Sequence, residues 1–198
     1  MPSLVNSNGA NDKAASRAAA LARRDALSGE QRAAAAQAIA LRGLPIEVMP
    51  GTVVAGYSPI RSEIDPVPLM LNVGAQGAQL ALPVITGRDQ PLTFRAWSAS
   101  DKLLRGPLGI LEPSPDAAEI VPDIVLVPLA AFDRLGHRIG YGAGHYDRTL
   151  ARLRDSKKIT AIGLAFAVQE IETIPALPHD VALDYVLTET RLFDFRSP

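Results

Sequence analysis

Short apolar runs separated by turn residues dominate the chain from about residue 52 to residue 188. Most of these runs are rich in Val, Ile, Leu or Ala, and Gly, Pro or polar residues bound them. Runs of this length and composition are typical of buried β-strands. The predicted strands lie at 52–57, 79–85, 92–97, 123–128, 159–166 and 182–188.

The N-terminal part of the chain instead has a helical composition. A segment rich in Ala and Arg predicts a first helix over 13–27, capped by Asn11 or Asp12. A second helix is predicted to begin after Ser28, where a Ser-x-x-Gln pattern forms a capping box, and to end at Gly43.

Two further helices are predicted among the strands. One begins at Pro66 and the other begins near Gly144. Helices that alternate with short apolar strands predict an α/β fold, with a mostly parallel sheet flanked by helices. We expect residues 13–198 to form one layered domain that includes the N-terminal helices, and residues 1–12 to form a flexible tail.

Composition and charge exclude several classes of protein. Among 198 residues, 20 Lys and Arg oppose 21 Asp and Glu, so no overall field attracts nucleic acid or an acidic membrane surface. The absence of Cys excludes a disulfide scaffold, a thiolate zinc site and a cysteine nucleophile. The chain shows neither a signal peptide pattern nor an apolar run long enough to span a bilayer. We therefore expect a soluble cytoplasmic protein without nucleic-acid or membrane partners.

The glycine-rich stretch RIGYGAGHYDR at 138–148 is the best candidate for a functional site. Its glycines alternate with Tyr141 and Ala143, just ahead of a predicted helix. Glycine permits positive φ and close approach of the backbone, so successive N–H groups can point at an anion. The helix N-terminus adds positive potential, and Arg138 and Arg148 can each donate paired hydrogen bonds to phosphate oxygens. The stretch therefore predicts a nucleotide phosphate site.

The glycine pattern alone leaves a second interpretation open. Its G-x-G-x-G spacing matches neither the dinucleotide-binding fingerprint nor a Walker A loop. A glycine-rich surface turn with solvated arginines would have the same pattern. Asp147, in the first turn of the following helix, could bind a divalent ion or only stabilise the helix end.

A longer stretch around this loop, PLAAFDRLGHRIGYGAGHYDRTL, closely resembles the signature of the 5-formyltetrahydrofolate cyclo-ligases, also called methenyltetrahydrofolate synthetases. That signature ends in Arg-Leu-Gly-x-Gly-x-Gly-Tyr-Tyr-Asp-Arg, and this chain departs from it by placing His145 where the first Tyr is usual. Weaker agreement covers all but the first dozen residues, through GYSPIRSEIDPVPL, LALPVI, LTFRAW, GILEP and PHDVALDYVLTE. The fold of the family is similar to that of sugar-phosphate isomerases and coenzyme A transferases.

The resemblance implies roles for individual residues, with ATP and Mg²⁺ as cofactors. The implied ATP-binding residues are Lys13, Arg17, Arg138, Ile139, Gly140, Tyr141, Gly142, Ala143, Gly144, His145 and Tyr146. The implied folate-binding residues are Ser58, Glu63, Tyr141, Gly142, Ala143, Gly144 and His145. Arg138 and Arg148 are implied to be catalytic. Asp147 and Asp180 are implied to be linked to Mg²⁺, although Asp184 is close enough in sequence to be confused with Asp180.

Two of these assignments also have support from position. Lys13 and Arg17 are four residues apart, so both lie on one helix face. The alternative is a solvated basic face, which is how we interpret Arg23 and Arg24. Glu63 follows the carboxyl end of the first strand, where α/β sheets usually bind ligands, and its carboxylate suits the N–H donors of a pterin. The lone Trp97 could stack on a pterin or benzoyl ring, but a lone Trp on a strand is more often part of the core.

The implied reaction converts 5-formyltetrahydrofolate and ATP into 5,10-methenyltetrahydrofolate, ADP and phosphate, through a phosphorylated formyl group, an iminium phosphate. The enzyme would act as a monomer on this small molecule. Three alternatives stay open: an isomerase or transferase of similar architecture that works without ATP, a non-catalytic folate- or nucleotide-binding relative, and an RNA-binding module that uses the basic helices. The last lacks interleaved aromatic residues and net positive charge.

Overall fold

The computed structural model describes residues 7–196. Within that range the helices are α1 (Ser7–Asp25), α2 (Gly29–Arg42), α3 (Val67–Ala75) and α4 (His145–Ser156). The strands are β1 (Val53–Ala55), β2 (Gln79–Val84), β3 (Thr93–Ala96), β4 (Leu104–Arg105), β5 (Leu111–Glu112), β6 (Ile124–Pro128), β7 (Ala131–Phe132), β8 (Arg138–Ile139), β9 (Thr160–Leu164), β10 (Tyr185–Leu187) and β11 (Leu192–Asp194).

The first helix starts earlier than predicted. α1 already includes Asn11 and Asp12, so neither residue caps the helix as we expected. Asn and Asp are only mildly unfavourable inside a helix, so an Ala-rich segment can extend through them. Of the predicted flexible tail, residues 1–6 lie outside the described part of the chain. The predicted capping box of α2 is confirmed: Gln31 N donates to Ser28 Oγ at 3.1 Å, and Ser28 N donates to Gln31 Oε1 at 2.8 Å.

A seven-stranded sheet in the order β11-β10-β9-β6-β1-β2-β3 forms the centre of the molecule. The five central strands, from β10 to β2, are parallel, and β3 and β11 pair antiparallel at the two edges. The predicted α/β fold with a mostly parallel sheet is therefore confirmed. The edge strand β11 and the small hairpins β4–β5 and β7–β8 were not predicted.

Helices cover both faces of the sheet, because successive residues of a buried strand point to opposite sides. Val54 packs in one core cluster with Ile39 of α2 and Met70 of α3. Its neighbour Ala55 packs in another cluster with Leu150 of α4. The strand β1 is therefore buried on both faces, which explains its uninterrupted apolar sequence.

The helix α1 packs outside these two layers, against the start of the glycine-rich stretch. Its residue Ala20 is fully buried in a small cluster with Ala131 of β7 and Ile139 of β8. The small alanine side chains let α1 approach this hairpin closely. The packing places the basic residues of α1 beside the loop that follows β8.

Candidate active site

A cavity of about 870 Å³ lies at the carboxyl ends of the central strands. Tyr57 and Ser58, just after β1, and Pro128, the last residue of β6, line its wall. This is the edge at which α/β sheets bind ligands. Every site residue that we predicted from the sequence contributes to the lining, so the fold brings them all to one place.

The glycine-rich loop forms one wall of the cavity and has the conformation that its glycines allow. Gly142 and Gly144 have φ values of 100° and 64°, in the left-handed region that L side chains rarely adopt. A Cβ atom added at Gly140 or Gly142 would meet no other atom within 4 Å, so open space lies beside the loop backbone. The helix α4 begins directly after Gly144, and none of the described side chains caps its N-terminus. Its free N–H groups and positive end can therefore receive an anion.

Two ion pairs border this loop. Arg138 Nη2 lies 2.7 Å from Asp147 Oδ1, and Lys13 Nζ lies 2.5 Å from Asp180 Oδ2. Arg17 Nε donates to the carbonyl oxygen of Gly140 at 2.7 Å, which ties α1 to the loop. We call Lys13, Arg17, Arg138, Asp147 and Asp180 the ion-pair side of the cavity.

Further hydrogen bonds hold the charged groups of the ion-pair side in place. Arg138 is only 7% exposed and also donates to the carbonyl of Val181, and burial lowers the pKa of its guanidinium. Asp147 accepts a second hydrogen bond from Val181 N at 3.1 Å. Burial would raise the pKa of Asp180, but hydrogen bonds from Lys13 and from Leu177 N bring that pKa below its ordinary value.

The structure separates Asp180 from Asp184. Asp184 accepts from Arg154 at 2.9 Å and from Ala161 N at 2.7 Å, and it does not line the cavity. Of the two carboxylates, Asp180 is therefore the one at the candidate site.

A second part of the cavity lining, the tyrosine side, consists of Tyr57, Glu63, Tyr141 and Tyr146. Glu63 is 9% exposed, and its Oε2 accepts a hydrogen bond from Ile60 N at 2.8 Å. The hydroxyl of Tyr141 lies near this carboxylate. Burial raises the pKa of Glu63, and the hydrogen bond from Ile60, the Tyr141 hydroxyl and the charge of Arg24 oppose the rise. The carboxylate is thus an acceptor held in place inside a largely buried wall.

The remaining predicted site residues have these contacts. Ser58 Oγ donates to the carbonyl of Leu111 at 2.5 Å. His145 Nδ1 lies 2.9 Å from the carbonyl oxygen of Gln90. Arg148 turns back over the loop, where its Nη2 donates to the carbonyl of Ala143, and it remains 37% exposed. Arg148 is therefore a loosely held cation, unlike Arg138.

One prediction at this site was wrong. We expected Arg24 on a solvated face of α1, but its side chain is 1% exposed and contacts Ser62 and Tyr141. A signal was present, because Arg24 follows Arg17 by seven residues, two helical turns, and so lies on the same face of α1. Trp97, by contrast, packs in the core as expected.

Two wider observations concern metals and membranes. Among the described side chains, no cluster of three or more His, Cys, Asp or Glu residues could hold a metal ion. A metal beside Asp147 and Asp180 would therefore need additional ligand atoms from a bound molecule. Within residues 7–196, no helix combines the length and the apolar character required to cross a membrane.

Comparisons with known proteins identify the family of the chain. The sequence model of the 5-formyltetrahydrofolate cyclo-ligase family matches residues 9–189. The 5-formyltetrahydrofolate cyclo-ligase of Escherichia coli K12 is 32% identical over 180 residues, which are 87% of this chain and 98% of that protein. The cyclo-ligase of Mycolicibacterium smegmatis is 36% identical over 159 residues, which are 76% of this chain and 79% of that protein.

A solved structure gives the same result. The 5,10-methenyltetrahydrofolate synthetase of Aquifex aeolicus is similar to this chain with a TM-score of 0.76 and 30% identity, over 94% of both chains. The fold also resembles the synthetase of Mycoplasma pneumoniae, with a TM-score of 0.70 and 24% identity, over 90% of this chain and 99% of that one. The match of the family model over most of the sequence, with relatives of this similarity, shows that the chain belongs to the 5-formyltetrahydrofolate cyclo-ligase family.

Proposed function

We propose that this protein catalyses the ATP- and Mg²⁺-dependent cyclisation of 5-formyltetrahydrofolate to 5,10-methenyltetrahydrofolate, with release of ADP and phosphate. The observation that carries the proposal is that one cavity joins the glycine-rich loop and its ion-pair side to the buried carboxylate of the tyrosine side. A phosphate donor and a folate can therefore meet in one space. The family and its named relatives support the same reaction.

The loop side of the cavity suits the phosphates of ATP. The open space beside Gly140 and Gly142 lets a ligand approach the backbone, and the uncapped start of α4 offers N–H donors. Lys13, Arg17 and Arg138 lie around the same loop, so they can bind phosphate oxygens and neutralise charge that develops on the transferred group.

The two carboxylates of the ion-pair side suit Mg²⁺. Asp147 and Asp180 would hold the ion together with phosphate oxygens and water, because Mg²⁺ commonly uses one or two carboxylates in nucleotide sites. When bound, the ion neutralises phosphate charge. Each carboxylate already contacts a cation, Arg138 or Lys13, so these side chains can hold the carboxylates in place for the ion.

The tyrosine side suits the pterin ring of the folate. The carboxylate of Glu63 is an acceptor for ring N–H and amino groups, while the buried Tyr57 and the partly buried Tyr146 provide apolar surface in the same lining. Ser58 and His145 lie in the same lining and are further folate contacts in this proposal.

The chemistry needs positioning rather than a protein nucleophile. The formyl oxygen attacks the γ-phosphorus of ATP, an O–P bond forms, and the bond from that phosphorus to ADP breaks. N10 of the folate then attacks the activated formyl carbon of the iminium phosphate, the carbon–oxygen bond breaks, and phosphate leaves as the N10 proton is lost. The absence of Cys from the chain is compatible with this route. The work of Arg138, Lys13 and the loop N–H groups is alignment and charge neutralisation.

A direct assay tests this function. Purified protein is mixed with 5-formyltetrahydrofolate, Mg²⁺ and ATP, and the methenyl product is followed by its absorbance. We expect product only when all three are present, with one ADP formed for each product molecule. Product without ATP, or no product with it, would overturn the proposal.

A further inference from the structure

The buried guanidinium of Arg24 has no place in the reaction described above. Arg24 Nε donates to Ser62 Oγ at 2.9 Å, and its Nη1 donates to the hydroxyl of Tyr141. The guanidinium carbon also lies 5.7 Å from the centre of the Tyr141 ring. Arg24 itself does not line the cavity, whereas Tyr141 does.

The position of Arg24 is costly for a cation. Burying a charge is unfavourable unless other groups compensate, and the partners of Arg24 are mostly neutral oxygens. Asp25 lies 3.6 Å from Arg24 Nε, but its side chain is 57% exposed and its carboxylate accepts from Ser62. A surface arginine would avoid this cost. We therefore infer that the buried Arg24 has a function, and its contact with Tyr141 indicates that this function concerns the cavity.

The contact with Arg24 sets the hydrogen-bonding role of the Tyr141 hydroxyl. Since the phenol oxygen accepts from Arg24, its O–H remains available as a donor, and the Glu63 carboxylate lies near it. Glu63 itself accepts from Ile60 N, and Ser62, the residue before it, accepts from Arg24 Nε at 2.9 Å. Arg24 therefore contacts both a residue of the glycine-rich loop and the residue that precedes the carboxylate.

We propose that Arg24 is a positioning residue for the folate: through its contacts with Tyr141 and Ser62, it orients the Glu63 carboxylate that binds the pterin. This inference rests on the proposed function, because it gives Glu63 the role of pterin acceptor. It also gives α1 two tasks. Lys13 and Arg17 serve the ion-pair side, and Arg24, two turns beyond Arg17, serves the tyrosine side.

Because titratable groups surround Glu63, the positioning role of Arg24 can be tested through the pH dependence of folate binding. The titratable groups that face this carboxylate are the hydroxyls of Tyr57, Tyr141 and Tyr146 and the guanidinium of Arg24. Arg24 and the Tyr141 hydroxyl favour the ionised carboxylate, so removing either raises the pKa of Glu63 further. Pterin binding to the ionised carboxylate is present above the pKa of Glu63 and is lost as the pH falls through that pKa. In these variants, folate binding should therefore be lost at a higher pH than in the wild type.

The test compares Arg24→Met, Arg24→Lys and Tyr141→Phe with the matched control Arg23→Met. Arg23 is the exposed neighbour of Arg24 on α1, and its Nε donates to the carbonyl of Val168, away from the cavity. We expect Arg24→Met and Tyr141→Phe to raise KM for 5-formyltetrahydrofolate about five- to tenfold, with little change in KM for ATP. The acid limb of kcat/KM for the folate should move up by about one pH unit. Arg24→Lys should show a smaller increase in KM and a smaller shift of the acid limb than Arg24→Met. Arg23→Met should match the wild type in both.

The double variant Arg24→Met with Tyr141→Phe sharpens the test, because two residues in one chain of contacts should cost little more together than the worse one alone. Equal increases in both KM values, with an unmoved acid limb in folded protein, would overturn the inference. If Arg24→Met does not fold, as judged by circular dichroism, Arg24→Lys and Tyr141→Phe test the inference instead. The measurements are the change in KM for the folate relative to that for ATP, and the pH profile.

Calorimetric binding of 5-formyltetrahydrofolate without ATP separates this inference from the proposed reaction. If the wild type binds the folate but makes no methenyl product, the reaction fails, and tighter binding by wild type than by Arg24→Met still supports the positioning role. If the wild type turns over and folded Arg24→Met keeps the wild-type KM and acid limb, the positioning role fails and the reaction stands.

Discussion

The two sides of the cavity handle charge in opposite ways. On the ion-pair side, Lys13 and Arg138 each contact a carboxylate, at 2.5 Å and 2.7 Å. On the tyrosine side, Glu63 accepts from a backbone N–H and has no ion pair with a described residue, and burial raises its pKa. An ion-pair side can accept a highly charged ligand by sharing partners, whereas a buried lone acceptor suits an uncharged ring with N–H donors. In the proposed reaction, this difference in charge would direct ATP to one side of the cavity and the folate to the other.

This comparison predicts which kinetic constant each side controls. Changes on the ion-pair side should lower kcat, because the charge that develops on the transferred phosphate is neutralised there. Changes on the tyrosine side should mainly raise KM for the folate, because they remove binding that is the same in the ground state and the transition state.

The largest effect is expected for Arg138→Ala. We predict a loss in kcat of at least about 1000-fold, because the substitution removes a buried cation with several donors from the phosphate loop. Steady-state kinetics with saturating ATP and folate measures the loss. Arg138→Lys keeps the positive charge but not the paired donors of the planar guanidinium, and its loss in kcat should be smaller.

A thermal melt accompanies this measurement, because Arg138→Ala also leaves Asp147 without its cationic partner and should lower the melting temperature. A folded variant with wild-type kcat would remove Arg138 from the mechanism and would erase the contrast between the two sides.

The next effect is expected for Glu63→Gln, on the tyrosine side. We predict an increase in KM for 5-formyltetrahydrofolate of about 10- to 100-fold, because an amide is a weaker acceptor than a carboxylate and also presents donors to the N–H groups of the pterin. KM for ATP should stay within about twofold, since Glu63 belongs to the other side of the cavity. Equal changes in both KM values would contradict the division of the cavity.

A smaller effect is expected for the metal requirement. Asp147→Asn should raise the Mg²⁺ concentration for half-maximal rate about tenfold, because it removes one anionic ligand. The matched control is Asp184→Asn, which alters a carboxylate bound to Arg154 outside the cavity and should leave the Mg²⁺ titration unchanged. The titration is run at fixed ATP with the free metal concentration controlled. The same curve for wild type and Asp147→Asn would count against a metal role for Asp147.

The contrast between the sides was only partly visible in the sequence. The buried strands were predictable because uninterrupted apolar runs such as 124–128 have few other stable environments. The edge strand β11 was missed since its alternating exposed residues carry no apolar run. The loop residues were predictable because glycine spacing and flanking arginines are local signals.

The partners of the site residues were not predictable, because they depend on how separate elements pack. Nothing local to Lys13 indicates that it meets Asp180, a residue from the other end of the chain. For Arg24 the sequence carried half of the signal. Its spacing from Arg17 places it on the same face of α1, but an arginine on an Ala-rich helix is ordinarily solvated, and only the packing of α1 against the glycine-rich loop buries it.

The smallest effect is expected for Arg148→Gln, and it tests what distinguishes the two arginines that bracket the loop. Arg138 is buried in an ion pair, whereas Arg148 is 37% exposed and lies 3.7 Å from an exposed carboxylate, Asp89. Water and salt screen the charge of a half-exposed group, so it stabilises a phosphate less than a buried cation does. We predict a loss in kcat below about tenfold, and one that shrinks as salt is raised. A loss as large as that of Arg138→Ala, unchanged by salt, would mean that Arg148 binds the phosphates as closely as Arg138 does, and the ion-pair side would then have to include it.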